Sequence, residues 1–156
     1  MRQNTRSKPI NGPHETDELA RKLATHLGAG DVLLLDGDVG AGKTHFARAL
    51  ILSLLAEAED IPSPTFTLVQ SYEAPEFEIW HADLYRLTDV QEIEELGLTE
   101  AFDTALCLIE WPDRLADLAP SGALHLQFAP GADPDQRNLI AHWSDPRWTP
   151  IVEAAL

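Results

Sequence analysis

An α/β fold, a single domain with a central mixed β-sheet flanked by helices, is what this 156-residue sequence predicts. Three observations carry that prediction. Amphipathic helical stripes alternate with short apolar runs, as when helices cover a sheet whose strands are buried on both faces. Two stretches rich in β-branched and aromatic residues are separated only by "EAPE", which adds a hairpin and therefore antiparallel pairing. The length, with 44% hydrophobic and 24% charged residues, suits one domain with its own core and no second.

The elements follow in order. Residues 1–13 are basic and lack the apolar segment of a secretory signal; they read as a flexible tail, leaving the domain to residues 14–156. Thr16 is placed to cap a first helix, with Asp17 and Glu18 in its first turn. Leu19, Ala20, Leu23, Ala24 and Leu27 form its apolar stripe and Gly28 its end. "DVLLLDG" is a buried strand, and a second helix runs from Lys43 through Phe46, Ala47, Leu50, Ile51, Leu54 and Leu55. "TFTLVQSY" and "FEIWHADLY" are the hairpin strands. Thr88 and Gln91 form a capping box for a short acidic helix that Gly97 stops. "ALCLIEW" is another buried strand ended by Pro112, "ALHLQFAP" and "RNLIAHW" are late strands, and a last helix begins near Pro146 or Pro150.

Charge excludes some functions. Eleven Lys and Arg against 26 Asp and Glu give a net charge of −15, the wrong sign for a general nucleic-acid surface. One locally positive niche for an anion, or a protein partner with basic patches, remains compatible. The single cysteine, Cys107, forms no internal disulfide and fits a reducing cytoplasm; it reads as a small buried side chain. No apolar stretch reaches the roughly 18 residues of a membrane span.

Lys43 is one of three lysines, and its neighbours explain it. Gly37, Gly42, Lys43 and Thr44 match G-x-x-x-x-G-K-[ST], between an apolar strand and an amphipathic helix. This is the phosphate loop of a P-loop NTPase. Its glycines let backbone N–H groups face a triphosphate, and the helix adds its positive end. The lysine neutralises β and γ oxygens, and the threonine hydroxyl ligates Mg²⁺. Such a loop needs a carboxylate at a neighbouring strand end, for the metal or the attacking water. Glu110, which ends "ALCLIE", and Asp83, after "EFEIWHA", are the candidates; capping the next turn is the competing reading of each. His81 and Asp83 have no second pair at metal-ligand spacing, so His81 reads as a structural or surface residue. Thr65 in "SPTFT" sits in a polar element that could sense a γ-phosphate, or in a plain loop entering a strand.

The absence of N-K-x-D and L-S-G-G-Q argues against a GTPase and a transporter-type ATPase. An ATPase subunit, a small-molecule kinase and a nucleotide-binding regulatory module without turnover all remain open on these residues.

"GDVGAGKT", "SPTFTLVQSY", "HADLYRL", "EELGL" and "IEW" occur in the order and spacing of the TsaE family, which the chain resembles over about residues 14–143. The resemblance implies a bacterial ATPase required to make threonylcarbamoyladenosine beside the anticodon of tRNA. It implies ATP and Mg²⁺ as ligands and the TsaB–TsaD pair as partner, with tRNA reached only through that pair and no membrane. Such a protein does not transfer the threonylcarbamoyl group; its ATP cycle resets the TsaD-centred complex. Residue by residue, the resemblance puts the phosphates on Asp38, Val39, Gly40, Ala41, Gly42, Lys43 and Thr44, and Mg²⁺ on Thr44 and Glu110. Asp83 and Thr65 take positions associated with hydrolysis or switching, and Trp111 follows Glu110 as in the family. The base is expected near His14, Glu15 and Thr16. Arg137 lies where a nucleotide contact is made, and His45 stands where threonine is common.

Overall fold

The computed structural model describes residues 3–38, 40–62, 64 and 68–156. Its central strands are the apolar runs. β2 (Val32–Gly37) lies between β5 (Leu106–Glu110) and β6 (Leu124–Pro130), parallel to both, and β4 (Glu78–Asp83) continues the parallel set beyond β5. β3 (Val69–Glu73) pairs antiparallel with β4, the expected hairpin. β7 (Gln136–Trp143) runs antiparallel to β6, and β1 (Asn4–Asn11) antiparallel to β7. The described strands form one mixed sheet in the order β1-β7-β6-β2-β5-β4-β3.

Alternation along the buried strands divides the core into two layers. Leu33 and Leu35 of β2, with Leu106 and Leu108 of β5, face α1 (Pro13–Ala24), α2 (Lys43–Leu54) and α5 (Trp148–Ala155); there Leu23, Phe46, Leu50 and Trp148 close the layer. Val32, Leu34, Cys107 and Ile109 face the other way. They pack with Ile93 of α3 (Gln91–Glu95), Leu98 and Phe102 of α4 (Leu98–Thr104), and Leu115 of a 3₁₀ segment, Pro112–Leu118. No described helix is long and apolar enough to cross a membrane.

The structure corrects several local expectations, among them the end of α1, which stops at Ala24 with Thr25 as its cap, short of Leu27 and the expected Gly28. Residues 4–11 are not a loose tail but the edge strand β1, in register with β7 from Asn4 opposite Trp143 to Asn11 opposite Gln136. An edge strand is held by backbone hydrogen bonds and needs few buried side chains, so its polar sequence, with Ile10 its one core residue, carries little signal. Helix α1 begins at Pro13, not after Thr16. Gly12 at φ +87° turns the chain into it, proline fits the first helical position, and Thr16 donates its hydroxyl to Gly12 O at 3.4 Å from inside the first turn. Before α3, Asp89 Oδ1 accepts the Gln91 N–H at 3.0 Å, while Thr88 Oγ1 bonds the Glu92 carboxylate at 2.7 Å; the expected capping box is replaced by this pair.

Candidate functional site

Three parallel strands end side by side, and their last residues build the site. In register, Leu35 of β2 and Asp83 of β4 lie on either side of Glu110. The C-terminal edge of a parallel sheet is where such folds bind ligands. β2 ends at Gly37, where φ is +145° and a Cβ would come 2.7 Å from the Phe128 carbonyl oxygen, so only glycine fits. The loop reaches α2 through Gly40 and Gly42, at φ +81° and +103°, with open space where side chains would stand. The Phe46 ring meets Phe128 edge-on, 5.5 Å between centroids, and anchors the first turn of α2 to the sheet.

Lys43 opens that helix and is 4% exposed. Its ammonium donates to Gly37 O at 2.5 Å and lies 3.6 Å from the centre of the Trp111 ring. Burial pulls its pKa below 10.5, opposed by the Glu110, Asp83, Asp36 and Asp38 carboxylates in that order. A buried cation beside a concave glycine loop is suited to a multiply charged anion. Trp111 itself holds φ +58°, uncommon for a bulky residue, and its ring packs on Tyr85 at 4.9 Å.

Thr44, one position on, donates its hydroxyl to Glu110 Oε1 at 2.8 Å. The other oxygen, Oε2, is 2.6 Å from His81 Nε2. Glu110 and His81 are 1% and 0% exposed. Sequence reasoning gave His81 no part in the site; a His two residues before Asp83 on one strand, hence on the same face, was the available signal. Asp83 Oδ1 accepts the Tyr85 N–H at 3.0 Å, so it does cap the turn after β4, yet its side chain also lines the cavity holding Lys43 and Glu110.

That cavity, about 410 Å³, is lined by Lys43, Thr44, Asp83, Tyr85, Arg86, Glu110 and Trp111 among others. A larger one of about 1080 Å³ lies beyond the loop, past Gly12, Thr16, Ala41 and Arg137. Gly40, Gly42 and His45 line both, so the two form one cleft across the loop. Arg137 ties its far wall to the loop, donating to Pro134 O at 2.8 Å and Gly40 O at 3.4 Å. His45 pairs with Asp17 at 2.7 Å. Asp38 lines an adjoining hollow of about 380 Å³, which shares Gly40, Ala41 and Arg137 with the larger cavity. Glu15 does not line the cleft; its carboxylate accepts the Asn11 N–H at 3.0 Å. Val39 and Thr65 lie outside the described residues.

The donor set suits Mg²⁺, which binds through one or two protein oxygens and completes its shell with phosphate and water. Thr44 and Glu110 offer such oxygens in mutual contact, and among the described residues no three His, Cys, Asp or Glu side chains are arranged to cage a metal unaided.

Comparison with known proteins gives concordant matches. The family model for "Threonylcarbamoyl adenosine biosynthesis protein TsaE" matches residues 10–139. A Rickettsia bellii (strain RML369-C) protein named tRNA threonylcarbamoyladenosine biosynthesis protein TsaE is 45% identical over 119 residues, 76% of this chain and 83% of that one. The Bacillus subtilis (strain 168) protein of the same name is 36% identical over 128 residues, 81% and 78% of the two chains. A crystal structure of Bacillus subtilis YdiB is similar with a TM-score of 0.82 and 26% identity, over 99% of this chain and 96% of that one.

Proposed function

The chain belongs to the TsaE family, and from that premise we propose that it is a Mg²⁺-dependent ATPase subunit of tRNA threonylcarbamoyladenosine biosynthesis. It works in the cytoplasm with the TsaB–TsaD pair and supports that pair's turnover. The observation that carries the reading is the buried Lys43 at the head of α2, next to a Thr44 whose hydroxyl is already held by Glu110.

The loop from Asp38 to Thr44 wraps the phosphates, and the N-terminus of α2 points its positive end at them. Lys43 exchanges Gly37 O for β and γ oxygens. Thr44 and Glu110 would hold Mg²⁺, which would supply neutralising charge to the phosphates. Asp83 and Thr65 belong to the hydrolytic or switching part, one orienting the attacking water and the other sensing the γ-phosphate. The base occupies the larger cavity past Thr16, with Arg137 and His45 on its walls.

Steady-state ATP hydrolysis, measured with and without the TsaB–TsaD pair, tests the proposal. Weak Mg²⁺-dependent turnover that rises with the pair is expected. Phosphate transfer to a small acceptor in place of water would identify a kinase and overturn it, as would ATP binding with no turnover in any combination.

A further inference from the structure

We propose that His81 is a positioning residue for the metal site: its Nε2–H fixes Glu110 Oε2 and so keeps Oε1 on the Thr44 side. The inference rests on the ATPase reading above and adds to it a residue that neither the loop motif nor the strand-end carboxylates include.

Glu110 is 1% exposed, and a buried carboxylate needs hydrogen-bond partners for its oxygens. Two donors do so, one to each oxygen: Thr44 Oγ1 at 2.8 Å and His81 Nε2 at 2.6 Å. They come from different elements, the start of α2 and the end of β4. In the register His81 lies opposite Leu108, and Glu110 opposite Asp83, so the glutamate reaches back along the sheet to the imidazole. Among the described residues, loss of His81 would leave Thr44 as the side-chain hydrogen-bond donor to the carboxylate, the group that must itself turn towards a metal.

The same geometry assigns the donor. Nε2 faces a carboxylate oxygen and carries a hydrogen towards it. Nδ1 is buried and has no hydrogen-bond partner among the described residues. Donors that hold a ligating carboxylate from behind set its metal affinity.

Three substitutions separate this role from simple space-filling. The amide nitrogen of Gln falls near the place of Nε2, and that of Asn near the place of Nδ1. Mg²⁺ is titrated calorimetrically into protein saturated with a non-hydrolysable ATP analogue, and analogue binding is measured separately in chelator. His81→Leu and His81→Asn should weaken Mg²⁺ binding by about tenfold to a hundredfold, with His81→Gln within about threefold of wild type. Metal-free analogue binding should be unchanged in all three. Unaltered Mg²⁺ affinity in His81→Leu, or equal loss in the Gln and Asn variants, would overturn the inference while leaving the ATPase reading intact. A wild type that binds neither analogue nor Mg²⁺ would overturn both. Should the variants fail to fold, ¹⁵N NMR of the wild-type imidazole still decides: a hydrogen-bonded Nε2–H is expected, and an Nε2 without a hydrogen contradicts the inference.

Discussion

The Lys43 ammonium lies 3.6 Å from the centre of the Trp111 ring, so this buried cation rests on an aromatic face. An amine that is 4% exposed is desolvated, and burial outweighs four nearby carboxylates in setting its pKa below 10.5. The unfolded chain then binds that proton more tightly than the folded one. The charged lysine costs folding stability at neutral pH, and the cost fades as pH rises from the lowered folded value to 10.5. Lys43→Met should therefore raise the thermal midpoint of the nucleotide-free protein at pH 7, an advantage that shrinks towards pH 10. A destabilised Met variant at pH 7 would show that the carboxylates need the cation more than burial penalises it.

Two of the loop glycines, Gly37 and Gly40, should respond differently to alanine. At Gly37 the added methyl would lie 2.7 Å from Phe128 O, and the φ of +145° is unfavourable as well. Gly37→Ala should cost about 1–3 kcal/mol or more in urea unfolding. At Gly40 the space is open and only the φ of +81° opposes a side chain, so Gly40→Ala should cost about 1–2 kcal/mol. Equal stability of wild type and Gly37→Ala would mean that the loop leaves β2 differently.

Thr44 and Glu110 share one hydrogen bond and should share one phenotype. Thr44→Ala and Glu110→Gln should each raise the Mg²⁺ concentration needed for half-maximal hydrolysis, with metal-free nucleotide binding largely kept. Asp83→Asn should bind ATP–Mg²⁺ and hydrolyse it slowly. An unchanged rate would return Asp83 to a structural role, holding the Tyr85 N–H at the turn after β4.

A net charge of −15 leaves few cations for tRNA phosphates, so the protein should bind free tRNA poorly at physiological salt. Association with TsaB–TsaD should depend on nucleotide and weaken in Lys43→Ala. Titration of labelled protein against each partner, with and without ATP, checks this; tight nucleotide-independent binding to free tRNA contradicts it.

Much of this was legible in the residues because each signal was local. The β2 apolar run, the glycine spacing and the stripe of α2 depend on neighbours in sequence, and the strand-end carboxylate Glu110 follows from the run before it. What escaped depends on neighbours in space. β1 exists because β7 offers a backbone edge, which "NTRSKPIN" does not announce. The start of α1 was misjudged because Thr16 outweighed the Gly12–Pro13 step. Helix α4 is only Leu98–Thr104, too short for its period to emerge beside Gly97. His81 looked like a scattered histidine because its partner is Glu110, far along the chain on the adjoining strand.

The central claim is that Lys43 holds the phosphates of ATP, and calorimetric titration of ATP with Mg²⁺ into wild type and Lys43→Ala tests it most directly. The account predicts saturable binding by the wild type and a loss of about a hundredfold or more in the variant, roughly 2.7 kcal/mol. Equal affinity in the two proteins would contradict it.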